Sequence, residues 1–212
     1  MNWLKQIFKT STASIEPQAN NAPTVVWLHG ANQTELSFAY LRAACGFRKE
    51  IAINYSSLNR FYSNLDDLTA KLESAGPVFV IGHSLGGLYG LHLTRRIDVV
   101  GGVSISTPFK GSSTADWAKY LVPNYPLFRD IGRKSPPVQD AADIVLTIPW
   151  TQIVSTAGSV PYLEGPNDGV VTVGSMRHRR DMEHIEVPHT HYEVVCSNTV
   201  ADIILDRYKV NC

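Results

Sequence analysis

The sequence predicts an α/β fold, with about six mostly parallel strands in one sheet and helices on both faces. Three observations predict it. From Thr24 onward, short β-rich runs alternate with stretches of helical periodicity, which is the pattern of βαβ units. The run Val78 to Ile81 is wholly apolar, as a strand covered on both sides requires. A length of 212 residues is close to one domain, and a chain of this size buries roughly 70% of the surface its unfolded form exposes.

Each element follows in turn. Thr24 to His29 is the first strand and runs into Gly30. Leu36, Tyr40, Leu41 and Ala44 give Thr34 to Cys45 helical spacing, which Gly46 ends. Glu50 to Tyr55 is a second strand. Apolar residues at 58, 61, 62, 65, 68 and 72 lay one stripe along a helix from Leu58 to Ala75, stopped by Gly76 and Pro77. Val78 to Gly82 is the third strand, and Leu88 to Ile97 a short helix whose last turn carries Arg95 and Arg96, where the helix dipole favours cations. Val99 to Ser106, Trp150 to Thr156 and Glu183 to Val187 complete the strands. Asn198 to Tyr208 closes the domain as a helix with Val200, Ile203, Ile204 and Tyr208 facing inward.

Two regions depart from this alternation. Between Thr107 and Asp143 a helix around Ser113 to Leu121 gives way to Pro123, Pro126, Gly132, Pro136 and Pro137, and an irregular stretch of this length is usually a functional loop, lid or cap. Residues 1–22 read as a leader and linker ahead of the domain at 23–212. Trp3, Leu4, Ile7 and Phe8 share one helical face beside Lys5 and Lys9, so this segment docks on the domain, stays loose, or at most touches a membrane surface peripherally.

Composition excludes several function classes. Apolar residues at 44% exclude intrinsic disorder. The 19 Lys+Arg balance 19 Asp+Glu, so no net field draws the chain to polyanions, and no nucleic-acid partner is expected. Cys45, Cys196 and Cys212 form no C-x-x-C pair, and their odd number describes neither a disulfide framework nor a structural zinc site. A Cys45–Cys196 bridge depends on a Cα separation that sequence does not reveal. With no apolar run near the ~18 residues of a membrane span and no signal-peptide core at the start, a cytoplasmic location is expected.

The most informative residues are Val78 to Gly87, a buried strand that enters Gly82-His83-Ser84-Leu85-Gly86 and leaves into a helix. That is a nucleophile elbow in the context it requires. A turn sharp enough to hold a side chain at a strand tip brings backbone segments into contact, so the positions two before and two after Ser84 must be small. Ser84 is then forced toward a left-handed or similarly strained conformation. His83 belongs to the turn itself and reads as a packing or orienting residue, not as a base.

With these residues in place, the chain resembles a small bacterial lipase- or esterase-like serine hydrolase of the α/β-hydrolase superfamily. The resemblance runs from about Thr24 to Tyr208. Besides the elbow, it rests on Leu28-His29-Gly30-Ala31, Ser106-Thr107-Pro108-Phe109-Lys110-Gly111-Ser112, Asn167-Asp168-Gly169-Val170-Val171 and His191-Tyr192-Glu193-Val194-Val195. It implies the α/β-hydrolase fold and the chain order serine, acid, histidine. Asp168 is then the acid, although Asp168-Gly169 is also an ordinary turn pair. Order leaves His178, His184, His189 and His191 as bases; His191 fits the family spacing, and His189 takes the role if the loop ends differently. The oxyanion hole would use the backbone N–H groups of Leu85 and Ala31, with His29 shaping the latter's loop.

Three further expectations concern specificity. Phe109, Trp117, Tyr120, Leu121, Tyr125, Leu127 and Phe128 within 107–143 either wall or cover an acyl pocket, or belong to the core. Arg177, Arg179 and Arg180 lie between acid and base; as a charge run they form a solvated face, or, near the mouth of the site, they meet an acidic acyl carrier protein, coenzyme A phosphates or an anionic headgroup. No cofactor or metal is expected: the elbow lacks P-loop and dinucleotide spacing, and Glu193 occupies the position where some larger lipases of the family carry a calcium-binding aspartate.

The sequence therefore leads to a metal-independent serine esterase acting on a small acyl ester. A thioesterase or acyltransferase with the same triad stays open, including the carrier-linked methyl ester esterases of biotin synthesis that the chain also resembles. So does a hydrolase fold used only for binding.

Overall fold

The computed structural model describes residues 22–113, 115, 116, 120 and 126–210. The leader through residue 21, Trp117, Leu121, Tyr125 and Cys212 lie outside the described residues, as does most of the helix expected around Ser113 to Leu121.

Strands β1 (Thr24–Leu28), β2 (Glu50–Ile53), β3 (Val78–His83), β4 (Val99–Ile105), β5 (Trp150–Ser155) and β6 (Glu183–Val187) form one sheet in the order β2-β1-β3-β4-β5-β6. Every pairing is parallel. This is the α/β-hydrolase architecture that the sequence predicts. Side chains alternate across the sheet, so Val26, Leu28, Val78 and Val80 enter one core while Val25, Trp27, Phe79 and Ile81 enter the other. The first core is covered by α2 (Phe61–Leu72), α3 (Leu85–Leu93), α4 (Pro126–Asp130) and α5 (Pro136–Ala142). Helices α1 (Ala39–Cys45) and α7 (Asn198–Val210) cover the second. A short α6 (Val173–Met176) packs through Val173 and Met176 against Val154 of β5.

Four differences from the sequence reading have physical causes. Helix α3 begins at Leu85, three residues early, because Gly86 and Gly87 are helical despite their poor propensity. A Cβ at Gly86 would stand 1.9 Å from the Leu28 carbonyl oxygen, and one at Gly87 would stand 1.9 Å from Thr107 Oγ1, so close packing overrides propensity. The stretch after Thr34 divides into a 3-10 turn (Glu35–Phe38) and α1, which Gly46 closes in the left-handed conformation. Leu58 stays exposed in a turn closed from Asn59 N–H to the Ser56 carbonyl, and α2 starts only at Phe61. Helices α4 and α5 were not anticipated; each opens on a proline, whose missing N–H costs nothing at a first helical position.

Parallel pairing brings the C-terminal ends of all strands to one edge. Because β2 lies on one side of β1 and β3 to β6 on the other, the chain reverses its direction of travel between β1 and β3. Ligands in open α/β sheets bind in the crevice at such a switch point, and Ser84 directly follows β3 there. Cys45 and Cys196 are both free thiols. No helix among the described residues is long and apolar enough to cross a membrane.

Candidate active site

Ser84 stands between β3 and α3 with φ 52° and ψ −117°, a region that L-residues occupy only under local compulsion. The compulsion is steric. A Cβ at Gly82 would lie 2.6 Å from the Gly86 backbone, so strand and helix meet only through glycine. The Ser84 N–H donates to the Ile105 carbonyl at 2.8 Å, which ties the elbow to the end of β4.

The loop after β5 carries Asp168, which is buried. Its Oδ1 accepts the N–H groups of Val170 at 3.0 Å and Val171 at 2.7 Å. Its Oδ2 accepts the Ser155 hydroxyl at 2.5 Å and lies 2.7 Å from Nδ1 of His191. The two residues meet a second time along the backbone, where the His191 N–H donates to the Asp168 carbonyl at 2.9 Å. Burial alone would raise the carboxyl, but the His191 bond and charge, the Ser155 hydroxyl and the Val171 amide outweigh it and hold Asp168 below the usual carboxylate range. Facing that carboxylate, His191 carries its proton on Nδ1, which leaves the lone pair on Nε2.

Ser84 and His191 line one hollow of about 200 Å³ together with Ala31. Leu127, Phe128, Ile131, Val170 and Val171 supply its apolar lining. The structure records no hydrogen bond between Ser84 Oγ and the His191 ring; such bonds commonly tighten only when substrate binds. A larger depression of about 630 Å³ lies at the opposite sheet edge, around Trp150, Arg180 and Glu183, and holds no serine or cysteine nucleophile.

Ala31 and Leu85, whose backbone N–H groups the sequence nominates for an oxyanion hole, flank Ser84 differently: Ala31 lines the hollow and Leu85 opens α3. Gly30 N–H donates to Gln33 Oε1 at 3.0 Å and Asn32 N–H to Ser57 Oγ at 2.9 Å. For the Ala31 N–H between them, as for the Leu85 N–H at the start of α3, no acceptor is recorded among the described residues. His29 shapes this loop as expected: its ring stacks on Tyr55 at 4.0 Å, the Tyr55 hydroxyl donates to its carbonyl, and its Nδ1–H donates to Gly30 O at 2.8 Å.

The other histidines have different surroundings. His83 is buried, and its Nε2 donates to the His191 carbonyl at 2.9 Å. Burial, with the neighbouring His191 ring, pushes its pKa down to about 3, so it is a poor base at neutral pH. His189 lies near the Glu193 carboxylate and outside the hollow. Glu193 itself accepts both the N–H and the hydroxyl of Thr190.

None of Arg177, Arg179 and Arg180 lines the hollow that holds Ser84 and His191. Arg179 is buried, and its guanidinium donates to the Ala141 and Ile144 carbonyls and pairs with Asp181, while Arg177 pairs with Glu186. Arg180 lines the depression at the N-terminal strand edge, opposite Ser84. The chain from α6 to β6 crosses from one sheet edge to the other and brings Arg180 to the far edge. Within 107–143, Leu127 and Phe128 line the hollow, Phe109 is core, and Tyr120 is exposed. Sequence reasoning missed Ser155 and Ser106; the only signal was a polar residue at the end of an apolar strand.

A model of the alpha/beta hydrolase family matches residues 25–190. The chain belongs to the alpha/beta hydrolase family. No curated protein sequence matches this alpha/beta hydrolase significantly. Among solved structures it is similar to the mature lipase BlEst2 of Bacillus licheniformis, with TM-score 0.72, 16% identity, and 91% of this chain and 94% of that one covered. It is also similar to a monoacylglycerol lipase of Paleococcus ferrophilus, with TM-score 0.62, 16% identity and coverage of 89% and 94%. A haloalkane dehalogenase loop variant from Bradyrhizobium elkanii aligns with TM-score 0.63, 13% identity and 91% coverage of both chains. At such identities the likeness shows the fold, and the hydrolase's chemistry must be argued from its own residues.

Proposed function

We propose that the chain is a serine hydrolase that cleaves carboxylic esters through an acyl-enzyme. The observation that carries this reading is the 2.7 Å Asp168–His191 bond beside the same hollow as a serine strained to φ 52°. A serine hydroxyl is a poor nucleophile unless a base takes its proton and a third group fixes that base. Here Ser84 is the nucleophile, His191 the base and Asp168 the orienting acid.

Ser84 Oγ attacks the ester carbonyl carbon as its proton passes to His191 Nε2. The former carbonyl oxygen becomes an oxyanion, held by the N–H groups of Ala31 and Leu85 at about 2.7 to 4 kcal/mol per donor. Collapse breaks the bond to the alcohol, which leaves with the proton from His191, and an acyl ester stays on Ser84. Water, deprotonated by His191, repeats the sequence and releases the acid. The apolar lining from Leu127, Phe128 and Ile131 supports an acyl chain or lipid-like ester as substrate.

The test is hydrolysis of a chain-length series of chromogenic esters and acyl thioesters by wild type, Ser84→Ala, Asp168→Asn, His191→Ala and His189→Ala. The reading requires ester cleavage that Ser84→Ala and His191→Ala abolish, with His189→Ala active. Faster thioester turnover through the same residues would move the assignment to a thioesterase.

A further inference from the structure

Two buried hydroxyls stand behind the acid. Ser155 is the last residue of β5 and Ser106 directly follows β4, and both are fully buried. Ser155 Oγ lies 2.5 Å from Asp168 Oδ2 and 2.6 Å from Ser106 Oγ. Proton arithmetic fixes the direction of both bonds. An ionised carboxylate only accepts, so the single Ser155 proton goes to Asp168. Ser155 must then accept from Ser106. The relay runs from Ser106 through Ser155 to the carboxylate, a chain in which each bond polarises the next.

Ser106 sits at φ 52°, a left-handed backbone uncommon outside glycine, and its N–H donates to the Ile153 carbonyl at 2.9 Å. Its placement therefore has a conformational cost, and strain of this kind gathers where a side chain must be aimed. At the other end, Oδ2 of Asp168 is shared between the Ser155 hydroxyl and Nδ1 of His191.

We propose that Ser155 and Ser106 are positioning residues: a two-hydroxyl relay that fixes the Asp168 carboxylate and sets how strongly it holds a protonated His191. This rests on the triad reading above. A carboxylate oxygen that already accepts a strong hydrogen bond is a weaker partner for imidazolium, so removing the Ser155 hydroxyl raises the pH at which His191 releases its proton. Among the described residues, the titratable groups facing the pair are His83, its ring 4.8 Å from that of His191, and Tyr192 at 5.4 Å, with His29 behind His83. Burial keeps His83 neutral through a neutral-range assay, so it does not produce the shift.

The experiment is the pH profile of kcat/KM for wild type, Ser155→Ala and Ser106→Gly on a chromogenic ester, with the downfield His191 Nδ1–H resonance followed by NMR in the same proteins. Glycine accepts φ 52° without strain, so Ser106→Gly removes the hydroxyl without asking the backbone to move, and it keeps the test valid if Ser155→Ala folds poorly. In Ser155→Ala the midpoint of the acid limb rises by about one unit, and kcat falls about tenfold with little change in KM. Ser106→Gly shifts the limb in the same direction by less, and the resonance moves in both variants. An unmoved resonance and acid limb in the folded variants overturn the relay. A wild type that cleaves no ester, while its resonance still answers to Ser155→Ala, supports the relay and overturns the esterase reading instead.

Discussion

The imidazole of His83 donates from Nε2 to the backbone carbonyl of His191 at 2.9 Å. The residue next to Ser84 thereby fixes the loop that carries His191. Through Ser84 and His191 the ends of β3 and β6 reach one hollow, although two strands lie between them in the sheet. His83→Leu removes the donor and leaves a buried carbonyl unpaired. The expected result in steady-state kinetics is a kcat lowered about tenfold with KM little changed, since a penalty of this kind is about 1 to 3 kcal/mol.

Acid stability follows from the same side chain. Burial lowers the His83 pKa from its ordinary 6.5 to about 3. The unfolded chain therefore binds a proton that the folded chain refuses between these values. This contribution is complete above about pH 6.5 and is lost as the pH falls toward 3. Asp168, held below the usual carboxylate range, adds a loss at the acid end as pH falls through its folded value. Thermal unfolding across this interval should show Tm falling with pH, and falling less steeply in His83→Leu.

Strain at Ser84 has a measurable stability cost. Ser84 at φ 52° occupies a conformation that glycine adopts freely. Ser84→Gly is expected to be more stable than Ser84→Ala by about 1 kcal/mol, read from urea midpoints, with both variants inactive. Equal midpoints would show that the elbow is unstrained.

Arg179 is expected to act on stability and not on substrate choice. Its guanidinium serves the Ala141 and Ile144 carbonyls and Asp181 from a buried position. Arg179→Ala leaves those groups unpaired and should cost about 3 kcal/mol in denaturant unfolding. Its KM ratio between anionic and neutral esters should stay at the wild-type value.

What could be read from the sequence and what could not divide along a physical line. The elbow was legible because Gly82 and Gly86 are a steric requirement written at fixed spacing, and the inner strands β1 and β3 because burial on two faces demands continuous apolar runs. Asp168 and His191 were nominated through chain order once the elbow was placed, whereas the loop backbone that turns His191 toward Asp168 could not be read from the sequence. Helices α4 and α5 were hidden because Pro126 and Pro136 look like breaks until they prove to be first residues. The run at 177–180 looked like solvated surface because the carbonyls that bury Arg179 lie 35 and 38 residues away. The pairing of Ser106 with Ser155 gave no signal, since serines 49 residues apart become partners only through the pairing of β4 with β5.

The central claim is that Ser84 is an activated nucleophile served by His191. Peptide mapping of folded protein after reaction with a serine-directed phosphonate tests it most directly. The account predicts a single phosphonyl adduct on Ser84 in wild type and very slow labelling in His191→Ala. Folded wild type that leaves Ser84 unlabelled, or a His191→Ala variant that labels at the wild-type rate, would contradict it.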